Sequence, residues 1–243
     1  MNPAVSYPAG QTPSTPEDAI RQVRLACRIL ARHGQEDLTL GHASVRGPDG
    51  RTVWIKRKGR ALRDVRSEDV IGIALDDQDG HLSPGAHLET IMHLETYRAR
   101  PDVGAVIHTH PVYSIALGAT VGGLELLSHD GLLFPAGVPV FDGTAGLVTT
   151  PQDGQGVARA LGGGRAVLLR NHGILAAGPD ISWAVLTALT LERAARIQFI
   201  ARTLGETVPI PREAARDLSV SKYREEFAEE YWQDWCGMLD TQA

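Results

Sequence analysis

Between the turn residues Pro101-Asp102 and Pro111 the chain runs Val-Gly-Ala-Val-Ile and then directly into His108-Thr109-His110. A short apolar run bounded by turn signals reads as a strand buried inside a sheet. Residues 103–107 therefore form an interior strand around which the rest of the chain must pack. Side chains two apart on an extended strand share a face, so a strand ending in His-x-His aims two imidazoles at one point. A second apolar strand, Ala166–Leu169, is followed after Arg170 by Asn171-His172-Gly173. If the two strand ends lie near each other, His172 brings a third imidazole to that point. Three neutral imidazoles suit zinc, and also manganese, iron or cobalt, and leave positions for water or substrate. The plainer alternative is that these histidines only satisfy hydrogen bonds in core or turns.

The surrounding sequence alternates helices and strands. Ser14 or Thr15 before Pro16-Glu17-Asp18 is a capped helix start with proline in the first turn and acids near the positive end of the dipole. That helix should run to Gly34, with Ile20, Val23, Cys27 and Leu30 as its buried stripe. Short strands follow at 53–55 and Val70–Ala74, then a helix over about 86–98. Thr150-Pro151-Gln152-Asp153 repeats the cap-then-proline start, and Ile181–Leu204 is a long helix stopped by Gly205. Without repeats or a low-complexity linker, this is one α/β domain over residues 16–208. A loose Pro/Ser/Thr-rich arm over 1–15 precedes it, and a helical tail over 209–243 packs on the same domain or a neighbouring subunit.

Composition narrows the function class. Of 243 residues, 43% are hydrophobic and 5% aromatic, so Leu, Ile, Val and Ala fill the core. Lys+Arg 24 against Asp+Glu 29 gives a formal charge of −5, with no basic footprint for nucleic acid. Two cysteines, Cys27 and Cys236, make neither a disulfide framework nor a cysteine-ligated metal site. With no signal peptide and no membrane-length apolar run, the expected location is cytoplasmic.

Glu89 stands at the start of the helix preceding the histidine strand. A carboxylate beside an open metal position can be a fourth ligand, or the base that moves a proton once substrate displaces it. A first-turn acid favoured by the helix dipole is the alternative. His93 shares that helix face and reads as a supporting or packing residue.

Over roughly 17–205 the chain resembles the class II aldolase/adducin family. The resemblance rests on Gly41-His42-Ala43-Ser44-Val45-Arg46, on Glu89 with His93, Tyr97, Arg100, Pro101 and Asp102, on His108-Thr109-His110-Pro111, and on Asn171-His172-Gly173 with Gly178. It implies a three-layer αβα domain with a central, mainly antiparallel sheet, usually assembled as a homotetramer. It also implies one divalent metal ion per chain on His108, His110 and His172, zinc first, with Glu89 as catalytic acid/base. His129 lies where the family's aldolases place a tyrosine that protonates the departing oxygen, and so is the second acid/base candidate. Tyr223 and Tyr231 can reach a neighbouring subunit's site, although Phe227, Tyr231, Trp232 and Trp235 more simply form a packing stripe.

The departures are informative. Where the phosphate-using members cradle phosphate, this chain has Gly41-His42, Lys58-Gly59 and His87-Leu88, so the paired serines before the glutamate are missing. His42, Ser44, Lys58, Gly59 and Arg60 are the expected substrate contacts, with Lys58 and Arg60 suited to a carboxylate. Lys56 and Arg57 read as a solvated basic turn. The expected activity is a metal-dependent C–C lyase, decarboxylase or aldolase, acting through a metal-stabilised enolate on a small carboxylate-bearing compound. A sugar-phosphate aldolase or 4-epimerase, an iron-dependent oxygenase and a non-catalytic adducin-like binding domain remain the alternatives.

Overall fold

A computed structural model describes residues 12–240. Of the arm expected over 1–15, residues 1–11 lie outside the described residues, as do 241–243 of the tail. The first helix, α1 (Pro16–Arg32), starts as its sequence dictates: the Thr15 hydroxyl accepts from the Asp18 amide at 3.1 Å, and Pro16 occupies the first turn. It ends at His33, before Gly34 at φ +78°.

Seven strands form one sheet: β1 (His42–Arg46), β2 (Thr52–Lys56), β3 (Val70–Ala74), β4 (Ala105–Thr109), β5 (Val140–Phe141), β6 (Ala166–Leu169) and β7 (Gly173–Gly178), in the order β3-β2-β1-β4-β7-β6-β5. Every neighbouring pair is antiparallel except β5 with β6. Strand alternation divides the core in two. Ala105 and Ile107 face one side, with α1, α3 (Val112–Gly118), α5 (Ile181–Leu204) and α7 (Glu225–Asp240). Val106 faces the other, with α2 (Thr90–Ala99) and α4 (Pro151–Leu161). The result is the expected three-layer αβα sandwich. All five residues of β4 are fully enclosed, and burying Val106 and Ile107 contributes roughly 1.5–3 kcal/mol each.

Several boundaries differ from the sequence reading. The interior strand is Ala105–Thr109 rather than 103–107, so His108 belongs to it. The helix expected from 86 starts at Thr90, because Gly85 at φ +88° turns the chain and Glu89 is not yet helical (φ −85°, ψ 6°). Strand β7 was not expected. Its Gly-Ile-Leu-Ala-Ala-Gly sequence has little strand propensity, and it is placed by close packing: a Cβ on Gly178 would lie 2.7 Å from the Ala184 nitrogen. In the tail, α6 (Arg212–Lys222) and α7 pack on this same domain, where Trp183 Nε1 donates to Glu225 at 2.8 Å and Trp232 is buried. No helix among the described residues is long and apolar enough to cross a membrane.

Gly104 leads into β4 against the turn after β7, where an added Cβ would stand 2.1 Å from the Pro179 carbonyl oxygen. Gly104→Ala should cost about 1–3 kcal/mol in chemical denaturation. Gly163→Ala, with open space around it, should leave stability unchanged; equal behaviour of the two would contradict this packing.

Candidate metal centre and active site

Each histidine is delivered by backbone geometry. His108 is the fourth residue of β4 and pairs across the sheet with His42 on one side and Leu175 on the other. His110 follows at the strand end. His172 sits in the tight β6–β7 connection, where Asn171 takes a left-handed φ of 57°, a conformation asparagine tolerates better than most residues. Gly173 lets that connection approach β4: a Cβ there would lie 2.5 Å from the Thr109 carbonyl oxygen and 2.8 Å from His110 Cδ2. The sequence reading required strands 103–107 and Ala166–Leu169 to come close. They are separated by β7, and it is the turn into β7 that carries His172 to its place.

Glu89, His108, His110 and His172 each offer one ligand atom, and these atoms all lie within 4.8 Å of one another. Glu89 Oε2 is 3.6 Å from Nε2 of both His108 and His172, while its other oxygen accepts from the Val148 amide at 3.0 Å. Glu89 leaves its helix-capping position unused, making no side-chain cap bond.

The hydrogen bonds behind these rings determine which nitrogen faces the centre. His108 Nδ1 lies 2.8 Å from the Ile174 carbonyl oxygen. A carbonyl only accepts, so Nδ1 carries the proton and Nε2 presents a lone pair. His110 Nδ1 donates likewise to the Asp37 carboxylate at 3.1 Å. The two Nε2 atoms then face each other at 3.0 Å, lone pair against lone pair, unless a cation lies between them. His172 Nε2 is buried with no hydrogen-bond partner among the described residues. These two features, with an adjacent carboxylate, fit a divalent metal ion, and the bonds from Nδ1 are the usual way of orienting a ligating histidine.

The electrostatics agree. Burial, with His108 close by, pushes His172 down to about 4; burial and His108 also lower His110. Neutral imidazole is the coordinating form. Burial alone would raise Glu89, while the Val148 amide and any positive charge at the cluster, whether an imidazolium or a bound cation, draw its carboxyl down.

The other expected residues divide. His42 and His108 have ring centroids 5.0 Å apart, so His42 borders the cluster. His42 Nδ1 meets His93 Nε2 at 2.8 Å, His93 Nδ1 meets Ser44 Oγ at 2.7 Å, and Ser44 Oγ meets the Tyr97 hydroxyl at 2.8 Å. Ser44 is fully enclosed in that chain and supports His42 from behind. Lys58 and Gly59 lie in an exposed turn, with Gly59 at φ +80°. Arg60 is engaged with Asp69 at 3.0 Å. His129 is exposed and outside the cluster, its carbonyl accepting from the Tyr223 hydroxyl at 3.1 Å. Lys56, read as part of a solvated turn, is instead completely buried; the strand ends only after it, so its stem is covered.

Sequence reasoning missed the residues that grip the histidine strand from afar. Gln35 accepts from the Thr109 hydroxyl at 2.7 Å and donates to the Ala188 carbonyl at 2.9 Å. Glu192 accepts from the Tyr113 and Ser114 amides just beyond Pro111. No local pattern marks Gln35, Asp37 or Glu192, because their partners are tens of residues away.

About one divalent ion per chain is expected by elemental analysis, and His108→Ala, His110→Ala or His172→Ala should each remove most of it. Gly173→Ala removes no ligand, yet by crowding His110 it should weaken metal affinity by roughly 10–100-fold. Full occupancy in His110→Ala would contradict the ligand set.

Residues 21–199 match the family model described as Class II Aldolase and Adducin N-terminal domain. The chain is 34% identical over 197 residues to 4-hydroxy-3-prenylphenylpyruvate oxygenase/4-hydroxy-3-prenylbenzoate synthase of Streptomyces roseochromogenus subsp. oscitans, covering 79% of this chain and 71% of that one. It is 32% identical over 213 residues to 3,4-dihydroxyphthalate decarboxylase of Arthrobacter keyseri, covering 81% and 84%. Its fold is that of L-fuculose 1-phosphate aldolase from Glaciozyma antarctica PI12, with a TM-score of 0.81, 24% identity and coverage of 97% and 94%. With a match spanning most of its length and the histidine cluster at the sheet's centre, the chain belongs to the class II aldolase and adducin family.

Proposed function

We propose that this class II lyase decarboxylates a small, non-phosphorylated hydroxy-aromatic or keto acid, using one divalent ion held by His108, His110 and His172. The observation that carries the reading is the convergence of three imidazoles and the Glu89 carboxylate within 4.8 Å. A divalent ion bound there would supply a Lewis acid for the negative charge that develops on a carbonyl or phenol oxygen as the C–C bond breaks. His108 and His110 are oriented for this by Ile174 and Asp37. Glu89, ionised and steadied at one oxygen by Val148, takes a proton from a substrate hydroxyl and returns it to carbon after carbon dioxide departs. His42, held by His93, packs against His108 behind the cluster.

The carboxylate preference is supported by His87-Leu88, a ring and an apolar side chain just before Glu89 where the resemblance to the phosphate-using members implies paired serines; a phosphate there would leave anionic oxygens poorly paired, a costly arrangement. The relative from Arthrobacter keyseri, a decarboxylase, points the same way. The oxygenase named for the Streptomyces relative favours a second reading, in which oxygen is consumed at an iron-loaded site.

The metal-loaded protein should release carbon dioxide from a hydroxy-aromatic or keto acid under anaerobic conditions and leave fuculose and ribulose phosphates intact. Glu89→Gln should keep much of the metal while losing about 10²–10⁴-fold in kcat. Cleavage of a sugar phosphate by the parent would overturn the substrate class. Oxygen uptake matched to turnover would favour the second reading, and near-parental activity of Glu89→Gln would remove Glu89 from the chemistry.

A further inference from the structure

Lys56 is the one buried side chain of the lysine and arginine type among the described residues. Its ammonium donates to the Thr39 carbonyl oxygen at 3.0 Å and to His87 Nε2 at 3.2 Å. Both acceptors are neutral groups, and no carboxylate among the described residues forms an ion pair with it. An ammonium has three donors, so these partners leave one unused. A buried charge ordinarily has an ionic partner.

Its place in the sheet says where that partner would come from. Lys56 ends β2, while His42 and His108 face each other across β1 and β4 at the same end of the sheet. Strands lie about 4.8 Å apart, so the end of β2 is roughly 10 Å from that of β4, within the span of one lysine side chain and one aromatic ring. The contacts are continuous: the His87 ring is 4.4 Å from His42, and the His42 ring is 5.0 Å from His108. His87 itself is only half-buried.

The geometry points to Lys56, with His87 holding it in place, as the receptor for a carboxylate that stays on the substrate while another leaves. The inference rests on the decarboxylase reading above and narrows its substrate to a dicarboxylate. The departing carboxylate cannot be the group that Lys56 binds, because its charge disappears as carbon dioxide forms. A cation held against it would stabilise the ground state more than the transition state and slow the reaction. A carboxylate that persists is bound equally throughout and anchors the molecule with its reacting end at the cluster. Burial pushes the ammonium down to about 8, against the more distant pull of Cys27, Asp69 and Glu36, so it is mostly charged at neutral pH.

The test is calorimetric titration of the metal-loaded protein with benzoate, the isomeric benzenedicarboxylates and phenyl phosphate, in the parent, Lys56→Gln and Lys56→Arg. Metal content and melting temperature are measured alongside. At least one dicarboxylate should bind the parent about 10–100-fold more tightly than benzoate, the scale of one or two charge-assisted hydrogen bonds. Lys56→Gln should abolish that difference with benzoate affinity and metal content unchanged, and Lys56→Arg should retain part of it. If Lys56→Gln keeps the difference, or only lowers melting temperature, Lys56 is a staple for the Thr39 loop and the inference is overturned. Should Lys56→Gln fail to fold, a Lys56→Arg variant that folds but shows no preference overturns it equally. A parent that favours phenyl phosphate over every carboxylate overturns the decarboxylase reading itself, a result distinct from failure at Lys56.

Discussion

The antiparallel pairing of β4 with β7 is the contact on which both fold and site depend. It joins the two halves of the sheet, sets Thr109 against Ile174 and His108 against Leu175, and supplies the Ile174 carbonyl that fixes His108's tautomer. Because Gly173 has no side chain, the start of β7 can close on the strand end and bring His172 beside His108 and His110. The same backbone register that encloses Val106 and Ile107 thus converges three imidazoles, and a shift of one residue would turn His108 to the opposite face.

Around that pairing the site is braced from several directions. Gln35 and Asp37 reach in from the loop after α1, Glu192 from α5, and the Val148 amide from the approach to α4. Each uses a polar group to hold a histidine of the cluster, its neighbour or Glu89. Such preorganisation matters because a catalytic constellation displaced by about 1 Å can lose on the order of 10²-fold in rate. The His93–Ser44–Tyr97 chain behind His42 does the same on the other side of the cluster.

Much of this was legible in the sequence where the signal is local. Thr15-Pro16 and Thr150-Pro151 cap their helices as their spacing requires, and α5 has the bounds its pattern gives. The His-x-His spacing at the strand end brings both rings into one cluster, as the two-residue period of a strand requires. What local pattern could not carry was tertiary. The glycine- and alanine-rich β7 forms a strand only because its neighbours fit closely around it. Lys56 looks like one member of a basic turn, and only the course of β2 and the position of His87 reveal that it is enclosed. Ser44, read as a substrate contact, faces His93 and Tyr97 because the period of β1 directs it to the α2 side.

The central claim is that three imidazoles from β4, its end and the β6–β7 turn bind one divalent ion. X-ray absorption spectroscopy of the zinc-loaded protein addresses it directly. The account predicts a first shell of oxygen and nitrogen at about 2.0–2.1 Å, with outer-shell scattering from three imidazole rings and no sulfur. A sulfur scatterer near ~2.3 Å, or a shell containing a single imidazole, would contradict it.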